Sequence, residues 1–136
     1  MQIGGAPAGA VGVGTDLVEV DRLRAALARR PGLRERLFTD GEWEYSSRHR
    51  DPFPHLAARF AAKESVMKAL GHGMDSMSFT DIEVVRGDAG SPGVVLWGRA
   101  EQLAFEQGVV DWLLSLSHTG SLAQAVAIAV AQHTPR

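Results

Sequence analysis

Every second residue from Ala123 to Ala129 is alanine, and the positions between and after them, Gln124, Val126, Ile128 and Val130, carry larger side chains. A period of two is the signature of a strand. A strand face made only of alanine calls for close packing against it, by a helix or by another subunit. The scale of the fold follows from 136 residues, of which 45% are hydrophobic and 22% charged. That is one globular domain with one core. With no cysteine in the chain, a disulfide framework, a thiolate zinc site and a cysteine nucleophile are excluded. The formal charge of -2 argues against a polyelectrolyte grip on nucleic acid. No apolar run approaches the roughly 20 residues that span a bilayer. Met1 to Ala10 reads as a flexible leader without the features of a signal peptide, ahead of one domain over residues 11–136 in a cytoplasmic protein.

A first strand is expected over Val11 to Val20. It places Val11, Val13, Thr15 and Leu17 on one face, and Gly12, Gly14, Asp16 and Val18 on the other. Two glycines before Asp16 mark close approach by a ligand or another backbone. The carboxylate beside that bare surface could hold a metal or a phosphate-bound cation, or sit in a strand-end turn. Asp21 is the expected N-cap of a helix over Arg22 to Arg30. Thr39 and Glu42 form a capping box, with Phe38 and Trp43 as its hydrophobic staple. A long helix is expected from His55 to Leu70, stopped at Gly71-His72-Gly73. Phe79 to Val85 and Val94 to Trp97 read as a hairpin around Gly87-Asp88-Ala89-Gly90, and Arg99 to Gln107 as a short helix. Strands over Trp112 to Ser117 and Leu122 to Val130 complete the chain. The expected fold class is α+β, with helices on one side of a mostly antiparallel sheet.

Charge is unevenly placed. Six of the twelve arginines fall between Arg22 and Arg36, opposed there only by Glu35. Guanidinium groups suit carboxylates and phosphates, so this is a docking patch for an acidic partner or a solvated helix face. The only two lysines, Lys63 and Lys68, lie in one short helical segment. Glu64 and Lys68 are four apart and share a helix face. An i,i+4 ion pair explains that pairing, but not a carboxylate on the apolar side one turn after Phe60. His49 and His55 read as structural or surface histidines. Together, Asp16 on a glycine-flanked strand, Lys63, Glu64 and Lys68 on a helix, and Ser115, Ser117 and His118 at a strand end form an inventory for Mg2+-dependent transfer of a phosphate-bearing group. The Gly-rich loops of nucleotide triphosphatases and kinases are absent from the sequence.

At these residues the sequence resembles holo-acyl-carrier-protein synthase, the small bacterial type of 4'-phosphopantetheinyl transferase. The matching stretches are Val11-Gly-Val-Gly-Thr-Asp-Leu-Val-Glu-Val20, Ala58-Arg-Phe-Ala-Ala-Lys-Glu-Ser-Val-Met-Lys-Ala69 and Ser115-Leu-Ser-His-Thr119. The resemblance implies a phosphopantetheinyl-transferase-like fold. It implies Mg2+ bound by Asp16 and Glu64 with the pyrophosphate of coenzyme A, and Lys68 near the transferred phosphate. It further implies Lys63 holding coenzyme A, Gly71 and Gly73 bordering its nucleotide end, and Ser117 and His118 lining the cleft. Arg22 and Arg29 would meet the acidic helix of acyl carrier protein, and the assembly would be a homotrimer with sites between subunits, which the alanine row would suit. Leu113 stands where the family usually has His, Ser91 where it has Lys and His72 where it has Thr. Those departures leave a non-catalytic module that binds coenzyme A or a carrier protein as the alternative.

Overall fold

The computed structural model describes residues 9–87 and 89–132. Three antiparallel strands form the main sheet: β1 (Gly9–Glu19), β4 (Val109–His118) and β5 (Leu122–Ala131), in the order β1-β5-β4. β2 (Ile82–Arg86) and β3 (Pro92–Leu96) make a separate antiparallel hairpin. The helices are α1 (Val20–Arg29), α2 (Leu33–Leu37), α3 (Asp40–Ser47), α4 (Phe53–Leu70) and α5 (Gly98–Glu106). The α+β expectation holds, and no helix among the described residues is long and apolar enough to cross a membrane.

The alanine row settles its own question. Ala123, Ala125, Ala127 and Ala129 are at most 1% exposed, and the element covering them is α4, not another subunit. Opposite β5, the inward positions of β1 include Gly12 and Gly14. A Cβ built on Gly14 would lie 1.9 Å from the Ser65 carbonyl oxygen, and one on Gly12 would lie 2.2 Å from that of Ala69. The glycines therefore serve a helix backbone rather than a ligand. Alanine and glycine bring α4 onto the sheet at close range, and its other flanks bury Leu56, Val66, Met67 and Leu70 in the core. Gly71 ends the helix in the left-handed conformation, with φ 75°.

The outer sheet face carries a different residue set. Val13, Ile128 and Leu113 are aligned across the three strands. Val13 is 66% and Leu113 57% exposed.

Local expectations met some corrections. β1 starts at Gly9, so Gly9 and Ala10 are strand residues rather than leader; residues 1–8 lie outside the described residues, as does Asp88 of the hairpin turn. α1 begins at Val20, not Arg22, and Glu19 is its N-cap without a side-chain bond. Val20 is fully buried and its N–H donates to the Ser121 carbonyl. Burial of Val20 thus draws the helix start forward, and Asp21 falls in the first turn, where its charge still suits the helix dipole. The Thr39–Glu42 capping box forms as expected, and the Phe38 and Trp43 rings meet at 6.3 Å. Phe79–Asp81 is a 3-10 turn rather than strand, because Ser78 and Asp81 cap each other and Phe79 turns inward.

Candidate active site

On α4, Phe60, Glu64 and Lys68 recur every four residues and stay out of the helix's buried set. This stripe borders a cleft of about 540 Å3 between β1, α1 and α4, which Asp16, Arg22, Leu23, Phe60, Glu64 and Phe79 help to line. Asp16 follows Gly14 on the same strand face, two positions past the closest helix contact. Its side chain thus emerges beside the Glu64 turn of the helix.

Lys68 ties the two elements together. Its ammonium donates to the Thr15 carbonyl at 2.8 Å and lies 3.3 Å from Asp16 Oδ1. Glu64 is half-buried, and desolvation raises its pKa; the charge of Asp16 raises it further, while Lys68 partly opposes both. One ammonium therefore leaves the pair of carboxylates incompletely neutralised.

That imbalance fits a hard divalent cation, since both donors are carboxylate oxygens. Among the described residues no cluster of three or more His, Asp or Glu side chains could hold a metal. A cation held by Asp16 and Glu64 would complete its shell with water and substrate oxygens, as Mg2+ characteristically does.

Lys63 corrects an expectation. Its side chain is fully buried, with Nζ 2.7 Å from Glu42 Oε1. The same ammonium donates to the Phe79 carbonyl at 2.9 Å and the Ile82 carbonyl at 2.6 Å. All three protons are engaged inside the protein, so Lys63 has none to offer coenzyme A. Burial pulls its pKa down, and Glu42 counters by holding the charge.

Ser117 and His118 do not line this cleft. Asp16 pairs with Ala125 on one side of β5, whereas His118 pairs with Ala123 on the other, so α4 runs between the two places. Ser117 shares the outer-face row of Gln124 and Leu17. Gly71 and Gly73 follow the C-terminal end of α4, and Met74 of the same loop reaches the cleft.

His118 instead joins a group that the sequence did not announce. His55 and His49 stack at 3.6 Å, and His118 meets His55 edge-on at 4.7 Å. Arg59 lies over the Tyr45 ring at 4.2 Å and Arg86 at 5.2 Å. Desolvation and the neighbouring positive groups lower the His55 pKa to about 4. These residues come from four separated segments. The one local signal was Arg59, an arginine at a buried helix position.

The arginine patch divides in two. Arg24 makes a two-pronged contact with Asp51, with its closest approach 3.0 Å, and lies over Phe53. Arg34 sits 3.9 Å from the Trp43 ring centroid. Arg22, Arg29, Arg30 and Arg36 remain exposed.

A match to the 4'-phosphopantetheinyl transferase superfamily spans residues 12–131. Holo-acyl-carrier-protein synthase of Caldanaerobacter subterraneus is 48% identical over 118 residues, which are 87% of this chain and 93% of that protein. The synthase of Moorella thermoacetica is 50% identical over 116 residues, covering 85% and 90%. The crystal structure of the Bacillus anthracis synthase, in complex with coenzyme A (3',5'-ADP), superposes with a TM-score of 0.74 at 30% identity, covering 92% of this chain and all of that one. The chain belongs to the 4'-phosphopantetheinyl transferase superfamily. Within it, the chain groups with the holo-acyl-carrier-protein synthases, and it is an enzyme of phosphopantetheinyl transfer.

Proposed function

We propose that the chain transfers 4'-phosphopantetheine from coenzyme A to a serine of an apo-acyl carrier protein, with Mg2+ held by Asp16 and Glu64. The observation that carries this reading is the convergence of those carboxylates on one cleft beside Lys68. The serine hydroxyl attacks the β-phosphorus. A new P–O bond forms to the serine oxygen, the bond from the β-phosphorus to the bridging oxygen breaks, and 3',5'-ADP leaves. Glu64 takes the serine proton as general base. Lys68, beside Asp16, neutralises charge on the transferred phosphate. The bound Mg2+ would stabilise charge on the pyrophosphate.

Gly71 and Gly73 border the nucleotide end in this reading. Exposed Arg22 and Arg29 dock the acidic helix of the carrier, Arg22 from the cleft wall. The working assembly is a homotrimer and its compartment the cytoplasm. Two features support the trimer: the apolar outer sheet face, and the separation of His118 from Asp16 across α4. A cleft containing both groups would take one from each of two copies, with Ser117 on the apposed outer face.

Incubation with apo-acyl carrier protein, coenzyme A and Mg2+ should add the mass of phosphopantetheine to the carrier; no gain across several carriers refutes the reading. Arg22→Glu should weaken carrier binding in a salt-sensitive way and leave coenzyme A binding intact.

A further inference from the structure

We propose that the buried Lys63–Glu42 pair is a pin that sets the rotation of α4 about its axis and so aims Glu64 at Asp16. This rests on the metal-site reading above and adds two positioning residues to it.

The pair is fully satisfied. Lys63 spends its three protons on Glu42, Phe79 and Ile82. Glu42 accepts from the Thr39 N–H at Oε1 and from the Val84 N–H at Oε2. One side chain of α4 is thereby fixed to the start of α3, the 3-10 turn and β2. Stability alone is a weak reason to keep such a pair, because apolar residues of similar volume often serve as well or better.

Position supplies the stronger reason. Against the sheet, α4 presents Ala57, Ala58, Ala61 and Ala62 toward a row of alanines and the glycines of β1. Such a surface sets how near the helix lies. It has few knobs to resist turning about the helix axis. Leu56, Val66, Met67 and Leu70 resist turning by packing, and Lys63 adds directional bonds from the side away from the sheet. On the other side of Glu64, the Ser65 carbonyl is pressed against Gly14 of β1, where a Cβ would come within 1.9 Å of it. Glu64 is thus held between two anchored neighbours. A turn of about 100° separates adjacent helix residues, so freeing Lys63 lets the Glu64 carboxylate swing away from Asp16.

The test uses Mn2+ as the probe, titrated by electron paramagnetic resonance, with transfer measured in parallel. Lys63→Met combined with Glu42→Gln removes both charges and keeps an acceptor for the Val84 N–H. Measurements are made well below the melting temperature of each variant, with folding verified by circular dichroism. The pin predicts a folded double variant whose Mn2+ dissociation constant rises at least tenfold and whose kcat falls. Lys63→Arg, which keeps the charge, should return Mn2+ affinity to within about threefold of the parent. A folded double variant with parental Mn2+ affinity overturns the proposal, as does a Lys63→Arg variant that binds no better than the double variant. If the double variant does not fold, the Lys63→Arg result decides alone. A parent chain that binds no Mn2+ and transfers nothing overturns the metal-site reading itself, which separates the two failures.

Discussion

Glu64 works against the fold that carries it. Burial and Asp16 raise its pKa, so the folded protein prefers the protonated form. The resulting stability is full below the ordinary glutamate range and is lost as pH rises through the raised value. At neutral pH, without a divalent ion, Glu64 is therefore a strained charge. Glu64→Gln should raise the melting temperature at pH 7 in chelator while lowering transfer by on the order of 10²–10³-fold. A calorimetric scan and the carrier mass assay check both halves. A variant that melts lower than its parent would remove the electrostatic account. Asp16, Glu64 and Lys68 were legible in the sequence because short-range periodicity places each of them. A strand face fixes Asp16, and a four-residue step joins Glu64 to Lys68. Lys63 was misread because its partner, Glu42, already had a complete local explanation as a capping-box residue. Nothing local indicates that the capping oxygen itself also faces a distant helix, or that its partner oxygen faces a strand.

At the scale of elements, the contact between β1 and α4 has no tolerance. Gly14→Ala puts a methyl group into the Ser65 carbonyl. The expected loss is about 1–3 kcal/mol or more, read from urea unfolding, with weakened metal binding because Asp16 lies next on that strand face. The start of α4 behaves differently. His55 has its pKa lowered from 6.5 to about 4, mainly by desolvation and then by His49 and His118. A depressed histidine contributes stability above its unfolded pKa, and this fades as pH falls from about 6.5 toward 4. His55→Phe should flatten that acid limb of the stability curve; an unchanged limb would assign it to other groups. Elements themselves were readable to within a few residues, since capping boxes, glycine stops and strand alternation are local rules. The shifts at Val20 and Phe79 are places where burial of one apolar side chain moved a boundary, while the five-residue α2 (Leu33–Leu37), too short for a clear periodicity, was missed altogether.

At the scale of the molecule, the proposed trimer would assemble through the exposed sheet face. Val13, Ile128 and Leu113 present an apolar row on the side that no helix of the described residues covers. A glutamate in the middle of it, Val13→Glu, should shift the mass seen by light scattering to that of a monomer. Transfer should then drop by more than about tenfold if, as proposed, the site draws a second contributor from another copy. A variant that stays assembled would put the interface elsewhere. The fold class was legible from the sequence, yet the division of Asp16 and His118 between opposite flanks of α4 was not. Motif order along a chain carries no information about which side of a helix each motif reaches. The two lysines meet opposite fates. Lys63 is sealed off, while the Lys68 side chain is 53% exposed. Among the lysines of this sequence, an acylating reagent meets one accessible amine, and it stands beside Asp16 of the cleft. Lys68 is thus a native reporter group, whose labelling rate reads out occupancy of the cleft without any engineered tag.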